Sequence, residues 1–182
     1  AAESRGLALV RRLLTGSRPL PQPEAPLVAP IAPLILALLA RADEPGLEDF
    51  FQAVQGLASQ AIILWDALEI PPAAAACQAP GLSVRHLARP LAGDFAAQRN
   101  ALLAACPPGW VLTLDPDERP APDMACTIAR VTHVTDIGGV FFPRLTLYPD
   151  KDHAKVGHGL WPDLQLRLFH TLPPASPRYV RP

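Results

Sequence analysis

The chain has 182 residues, of which 49% are hydrophobic and 18% are charged, and its formal net charge is −1 at pH 7. This composition is typical of a globular protein and excludes a largely disordered one. Without an excess of basic residues the chain lacks the electrostatic footprint of a nucleic-acid binder, so no nucleic-acid partner is expected. Three cysteines and no Cys-x-x-Cys pair favour reduced thiols in a cytoplasmic protein.

The first part of the chain differs from the rest. Residues 2–14 place apolar side chains at helical spacing, and residues 19–33 are rich in proline. We therefore expect an N-terminal helix and a Pro-rich linker over residues 1–32, followed by one domain over residues 33–182. The apolar stretch 27–40 is interrupted by two prolines and is too short to span a bilayer.

Apolar runs that alternate with helical patterns predict a parallel, three-layer α/β sheet. Leu164–Phe169 alternates in polarity and fits either a half-buried strand or the start of an amphipathic helix. Asp94 is expected to cap a helix that ends near Ala105. Strands are predicted at Leu34–Leu39, Ala61–Trp65, Leu82–Leu87, Trp110–Leu114 and Gly138–Leu147, and the other helices at about Leu47–Ala58, Ala73–Cys77 and Asp123–Val131.

The most informative segment is WVLTLDPDERP, which begins at Trp110. An apolar run of this length predicts a buried strand, and Pro116 should end it. Asp115, Asp117 and Glu118 then follow within four positions, and three carboxylates so close together need a cation among them. Since ligands of open α/β sheets bind at the carboxyl ends of strands, the cluster suggests a divalent ion shared with a phosphate. The alternative is a solvated turn built from ordinary turn-forming residues.

A second polar segment contains Lys151, His153, Lys155 and His158. These side chains could grip a diphosphate, or they could belong to a solvated basic loop. The histidines show no zinc-binding spacing, and no Gly-rich phosphate loop is present.

Two segments together resemble inverting family-2 glycosyltransferases with the GT-A fold, especially the branch that builds lipopolysaccharide cores and other bacterial surface glycans. In that family, a helix with an Arg-Asn pair leads into a strand that ends in Asp-x-Asp-Glu. Residues 93–120 match this pattern. Residues 159–170, which read GLWPDLQLRLFH, resemble the acceptor-side element of the family. The matching positions are Arg99, Asn100, Asp115, Asp117 and Glu118 in the first segment, and Trp161, Asp163 and the Arg-Leu-Phe triplet from Arg167 in the second.

The resemblance implies a three-layer GT-A-like fold with a mostly parallel central sheet. It also implies a cytoplasmic enzyme that transfers a sugar, with inversion, from a nucleotide-sugar donor to a glycan or lipid-linked acceptor. An enzyme of this kind that acts on a lipid-linked acceptor would be a peripheral protein at the inner face of the membrane. The implied cofactor is Mg²⁺ or Mn²⁺.

The same resemblance assigns roles to individual residues. Asp115 and Asp117 are expected to hold the metal and the diphosphate. Asp43, Asp66 and Arg99, together with Asp115, are expected to line the donor site. Asp163 is the expected general base, and Trp161 is a candidate sugar-stacking platform. The alternative for Asp163 is the N-cap of an element that starts at Leu164.

The sequence departs from the family pattern at several positions. Asp66 is followed by Ala-Leu-Glu-Ile-Pro, without the small polar residues that usually follow this acid. Asp43-Glu44 replaces an Asn-Glu pair, and the His-Glu pair that many relatives have after the Arg-Leu-Phe triplet is absent. These departures favour an alternative hypothesis, in which the chain is a fragment or a non-catalytic GT-A-like scaffold within a larger protein.

Overall fold

The structure is a computed structural model that describes residues 34–133, 137–150, 152–157, 160–171 and 178–180. The N-terminal helix and linker predicted for residues 1–32 lie outside the described residues. The chain divides into two compact units. The smaller unit contains the described residues between Phe141 and Leu166, and the larger unit contains those from Leu34 to Val140 and from Arg167 to Val180.

The strands of the described residues are β1 (Leu34–Arg41), β2 (Gln60–Asp66), β3 (Ser83–Ala88), β4 (Trp110–Leu114), β5 (Gly139–Arg144), β6 (Thr146–Leu147), β7 (Ala154–Lys155) and β8 (Asp163–His170). Six of them form one sheet in the order β3-β2-β1-β4-β8-β5, and β6 and β7 form a separate antiparallel pair. The pairs β1-β2, β2-β3 and β1-β4 are parallel, and β8 runs antiparallel to β4. The prediction of an α/β fold with a mostly parallel sheet is therefore confirmed.

The three central strands are buried on both faces, as continuous apolar runs require. Ile35, Ile63 and Val111 are fully buried, as are most of their neighbours in β1, β2 and β4. Pro143 lies in the edge strand β5. Proline is tolerated there because an edge strand has backbone donors that need no partner in the sheet.

Within the described residues, three α-helices and one 3₁₀ helix connect the strands. Asp94 caps the longest of these α-helices as predicted, because its Oδ1 accepts a hydrogen bond from the Ala97 N–H at 2.9 Å. The helices are α1 (Leu47–Ala53), α2 (Phe95–Ala105) and α3 (Met124–Val131), and the 3₁₀ helix is Pro72–Ala76.

Two elements differ from their predicted form. The helix expected to run to about Ala58 ends at Ala53, and Gly56 adopts a φ of 78°, a left-handed conformation that is incompatible with continued helix. Apolar spacing at Val54 and Leu57 continued past the real end because these residues belong to the turns that follow. The strand predicted at Gly138–Leu147 is divided into β5 and β6.

The order of the strands is compatible with helices on both faces of the sheet. The chain adds β2 and β3 on one side of β1 and then crosses back to add β4 on the other. Crossovers between parallel strands follow a right-handed rule, and under that rule the reversal predicts α2 on the face opposite to α1. The helix α1 contacts the 3₁₀ helix, and α2 packs on β1 and β2. Among the described residues, no helix is long and apolar enough to cross a membrane.

Candidate functional site

Three of the predicted site residues lie at the carboxyl ends of the parallel strands, at or next to the point where the strand order reverses. The reversal between β1 and β4 creates a topological switch point, and open α/β sheets bind ligands at the carboxyl ends of the strands at such a point. Asp115 directly follows β4, Asp66 ends β2, and Asp43 comes two residues after β1. Because β1 is parallel to both of its neighbours, all three residues lie at the same end of the sheet, which the carboxyl ends of these strands form.

The segment Asp115–Glu118 forms a closed turn after β4. The Glu118 N–H donates to the Asp115 carbonyl oxygen at 2.9 Å, and the Asp115 N–H donates to Oε2 of Glu118 at 3.1 Å. Pro116 suits the second position of such a turn because its ring fixes φ near the value required. The segment is thus a turn, as the alternative interpretation expected, but Asp115 and Glu118 are only 29% and 15% exposed at their side chains. It is not simply a solvated loop.

Two arginines supply the cations that the sequence required. Arg167, from β8, donates to Oδ2 of Asp115 at 2.9 Å and also pairs with Oε1 of Glu118. Arg99, from α2, donates to Oδ1 of Asp115 at 3.2 Å. We call these four residues the carboxylate–arginine cluster. Two positive and two negative side chains balance, so the cluster has no net charge.

Arg167 is the most buried member of this cluster. Its side chain is 8% exposed. Burial lowers the pKa of the Arg167 guanidinium, but the charges of Asp115 and Glu118 and their hydrogen bonds outweigh burial, so the pKa is raised overall. The guanidinium is therefore held charged, and it ties β8 to the turn after β4.

The cluster leaves few carboxylate oxygens available to a metal ion. Both oxygens of Asp115 face arginines, and both oxygens of Glu118 have partners. In the part of the chain that the structure describes, no group of three His, Cys, Asp or Glu side chains is arranged to hold a metal. Asp117, between them, is exposed. With Asp117 as the exposed carboxylate, the turn fits a cation that is held by one or two carboxylates and by substrate phosphates, as is usual for Mg²⁺.

The two acids expected in the donor pocket have different surroundings. Asp66 is half-buried, and its Oδ1 accepts a hydrogen bond from the Leu91 N–H at 2.7 Å. It therefore fixes the loop that follows β3. Asp43 is 85% exposed at its side chain and lies 3.9 Å from Nε of Arg41. It is open to a ligand, whereas Asp66 offers only its second oxygen.

Asn100, the partner of Arg99 in the predicted pair, holds the C-terminal part of the chain. Its Nδ2 donates to the Tyr179 carbonyl oxygen at 2.8 Å, and its Oδ1 accepts from the Tyr179 N–H at 2.9 Å. The guanidinium of Arg99 lies over the Tyr179 ring, 5.4 Å from its centroid. One side of α2 thus binds both the turn after β4 and the segment around Tyr179.

Replacing Asn100 with alanine is expected to lower the free energy of unfolding by about 1–2 kcal/mol, because two hydrogen bonds are lost. Amide hydrogen exchange at Tyr179 should become fast. Asn100→Asp is the matched control, since it keeps the acceptor for the Tyr179 N–H and removes the donor, so exchange at that amide should stay slower than in the alanine variant. Equal protection in all three proteins would show that Asn100 does not hold this segment.

Asp163, the predicted base, belongs to the smaller unit. It is the first residue of β8, so the N-cap alternative is wrong: the segment that follows is a strand and not a helix. Its Oδ2 accepts from Nη2 of Arg144 at 2.7 Å, and its Oδ1 accepts from Nε2 of Gln165 at 2.6 Å. The carboxylate is 30% exposed. A role as the base stays a prediction.

The basic loop is described in part. His153 pairs with Asp150 at 2.7 Å, and the ammonium group of Lys155 lies 3.9 Å from the centre of the Tyr148 ring. All four side chains are on exposed residues, which favours the solvated-loop interpretation. Lys151 and His158, which belong to the same predicted loop, lie outside the described residues.

Sequence reasoning assigned no partner to Arg167, although the sequence contained a signal. The alternating run Leu-Gln-Leu-Arg-Leu-Phe places a charged residue in a half-buried segment, and a buried charge requires a counter-charge. The three acids after β4 required a cation for the same reason. An ion pair between Arg167 and the acids after β4 would have met both requirements, and it could have been predicted on that ground.

No protein-family model matches this sequence, and no curated protein matches it significantly.

Proposed function

We propose that this protein is a glycosyltransferase with a GT-A-like fold, which moves a sugar from a nucleotide-sugar donor to a glycan or lipid-linked acceptor with inversion. The observation that supports this most strongly is the position of the Asp-Pro-Asp-Glu turn. It follows a buried parallel strand at the topological switch point of the sheet, where a donor nucleotide would bind. The resemblance of residues 93–120 and 159–170 to family-2 glycosyltransferases agrees with that position.

In this proposal the residues at the carboxyl ends of the parallel strands bind and orient the donor. Asp117 is the metal ligand, and Asp115 becomes a second ligand if Arg99 turns from it towards the diphosphate. Arg99 suits that role because a guanidinium can donate two parallel hydrogen bonds to the oxygens of one phosphate group. A divalent ion bound there would offset the negative charge on the departing diphosphate. Asp43 and the second oxygen of Asp66 would contact the nucleoside.

The chemical step forms one bond and breaks one. The acceptor hydroxyl oxygen attacks the anomeric carbon of the donor sugar, and the bond from that carbon to the diphosphate oxygen breaks. A base takes the hydroxyl proton, and Asp163 is the proposed base. Because its carboxylate is paired with Arg144, the acceptor would have to displace that arginine.

A second candidate function is a non-catalytic, GT-A-like scaffold. The neutral carboxylate–arginine cluster favours it, since Asp115 and Glu118 have partners without any ligand. In a scaffold, those ion pairs would simply join β8 and α2 to β4.

Ligand-dependent stability separates the two functions. We expect Mn²⁺ together with UDP or GDP to raise the free energy of unfolding by about 2.7 kcal/mol when the nucleotide is at 100 times its dissociation constant. Mn²⁺ alone and nucleotide alone are the controls, and each should give a smaller increase because each lacks half of the site. The absence of any increase with a panel of nucleoside diphosphates and Mn²⁺ would contradict the enzyme and favour the scaffold.

A further inference from the structure

A cavity of about 310 Å³ lies between β3 and the segment that contains the 3₁₀ helix. Leu82, Val84 and His86 line it from one face of the strand, while Cys77 and Gln78 line it from the segment opposite. Its volume is at the lower end of the range of small-molecule sites, about 300–1,000 Å³. The cavity extends to the start of β3, whereas the carboxylate–arginine cluster lies at the carboxyl ends of β1 and β4. It is therefore a different site from the one described above.

His86, which lines this cavity, has a fixed tautomer. Its Nδ1 accepts a hydrogen bond from Nε1 of Trp65 at 3.1 Å. An indole nitrogen can only donate, so Nδ1 must be unprotonated, and the neutral ring must carry its proton on Nε2. Among the residues that the structure describes, none accepts a hydrogen bond from Nε2. Burial lowers the pKa of His86, which keeps the ring neutral.

The remaining lining groups carry no charge. Burial raises the pKa of the Cys77 thiol to about 11, so it is a neutral thiol at physiological pH. Gln78 donates from Nε2 to the Ala75 carbonyl oxygen at 2.8 Å, which leaves its own Oε1 as an acceptor. Arg85, the nearest basic residue in the strand, alternates with the lining residues and so points to the other face of the sheet. The cavity therefore offers one donor, one acceptor and the apolar side chains of Leu82 and Val84, while the larger part of its accessible lining is polar and uncharged.

We propose that this cavity binds a small neutral molecule that presents a carbonyl oxygen to Nε2–H of His86 and rests its apolar part on Leu82 and Val84. Amides and cyclic amides have this chemistry, because they combine a carbonyl acceptor with an N–H donor that can reach Gln78. A carboxylate would lose its hydration and find no cation among the lining residues, and an ammonium or amidinium ion would find no carboxylate.

The proposal can be tested with three probes of nearly equal shape: benzamide, benzoate and benzamidine. The readout is the ¹⁵N-resolved ring resonances of His86 in the whole chain, recorded during titration at pH 7.5. We expect benzamide to shift the Nε2 resonance in a saturable way, and benzoate and benzamidine to bind at least tenfold more weakly. Binding of either ion as tight as that of benzamide would overturn the proposal, as would the absence of saturation by benzamide.

Two substitutions locate the binding. Ala74→Leu fills the cavity from the 3₁₀ helix, and it should weaken benzamide binding at least tenfold. Its control is Ala75→Leu, an exposed neighbour that does not line the cavity and should bind as the wild type does. His86→Phe keeps a ring and removes the donor, and we expect about a tenfold loss, measured by calorimetry. If Ala75→Leu weakens binding as much as Ala74→Leu, the cavity is not the site, whatever the stability of the histidine variant.

Discussion

Replacing Arg167 with methionine is expected to lower the free energy of unfolding by about 3 kcal/mol, at the lower end of the range for breaking a buried ion pair. Methionine retains much of the apolar stem but leaves Asp115 and Glu118 next to each other without their main cation. Their mutual repulsion and incomplete solvation would then act on the folded state alone. Urea unfolding measures the effect, which should appear as a lower midpoint with an unchanged slope.

The matched control is Arg144→Met. Arg144 also pairs with an aspartate, at 2.7 Å, but its side chain is 44% exposed where that of Arg167 is 8% exposed. An exposed pair of this kind contributes at most about 1 kcal/mol. Glu118→Gln in the Arg167→Met background should recover part of the lost stability, because it removes one of the two negative charges that repel each other. Equal losses in the two methionine variants would show that Arg167 does not stabilise the turn after β4.

The central sheet could be predicted because its strands have a strong local signal. β1, β2 and β4 are short apolar runs between turn residues, and each was predicted to within two residues of its observed bounds. Burial on both faces removes the polar alternation that usually marks a strand, so the short length of each run and the turn residues at its ends are what identify it as a strand. The cap at Asp94 was also predictable, since capping depends only on residues within one helical turn.

The carboxylate–arginine cluster depends on contacts that no local pattern encodes. Arg167 is 52 positions from Asp115 along the chain. The two meet because β8 pairs antiparallel with β4, with Leu168 opposite Leu112. That register places Arg167 beside the last residues of β4, and a shift by one residue would turn its side chain to the other face. The sequence predicted that Leu164–Phe169 was a strand or a helix, but it did not predict its neighbour or its direction.

The contact between Asn100 and Tyr179 has the same cause. The residues are 79 positions apart, and the amide group of Asn100 recognises the backbone of Tyr179, not its side chain. Backbone recognition leaves no mark on the sequence of the segment that is recognised. The resemblance singled out the Arg-Asn pair, but only coordinates could show that its two members face different partners.

In the presence of Mn²⁺ and UDP or GDP, Asp117→Asn is expected to lose the whole metal-dependent part of the ligand-induced stabilisation, which is up to about 2.7 kcal/mol at 100 times the dissociation constant. Asparagine preserves the shape of the side chain and removes its charge. Asp117 is the exposed carboxylate of the turn, whereas its neighbours Asp115 and Glu118 already pair with Arg167. The measurement is the difference in unfolding free energy with and without Mn²⁺ at saturating nucleotide.

Asp123→Asn is the control for this prediction, because Asp123 is also exposed and makes no side-chain capping bond at the start of α3. It should keep the full Mn²⁺ increment. If Asp117→Asn keeps it as well, the turn does not bind the cation, and the two arginines alone must meet whatever anion occupies the switch point. If only Asp117→Asn loses it, then the neutral cluster and the exposed acid have separate tasks. The cluster fixes the shape of the turn, and that fixed turn presents one carboxylate to a metal that arrives with its phosphates.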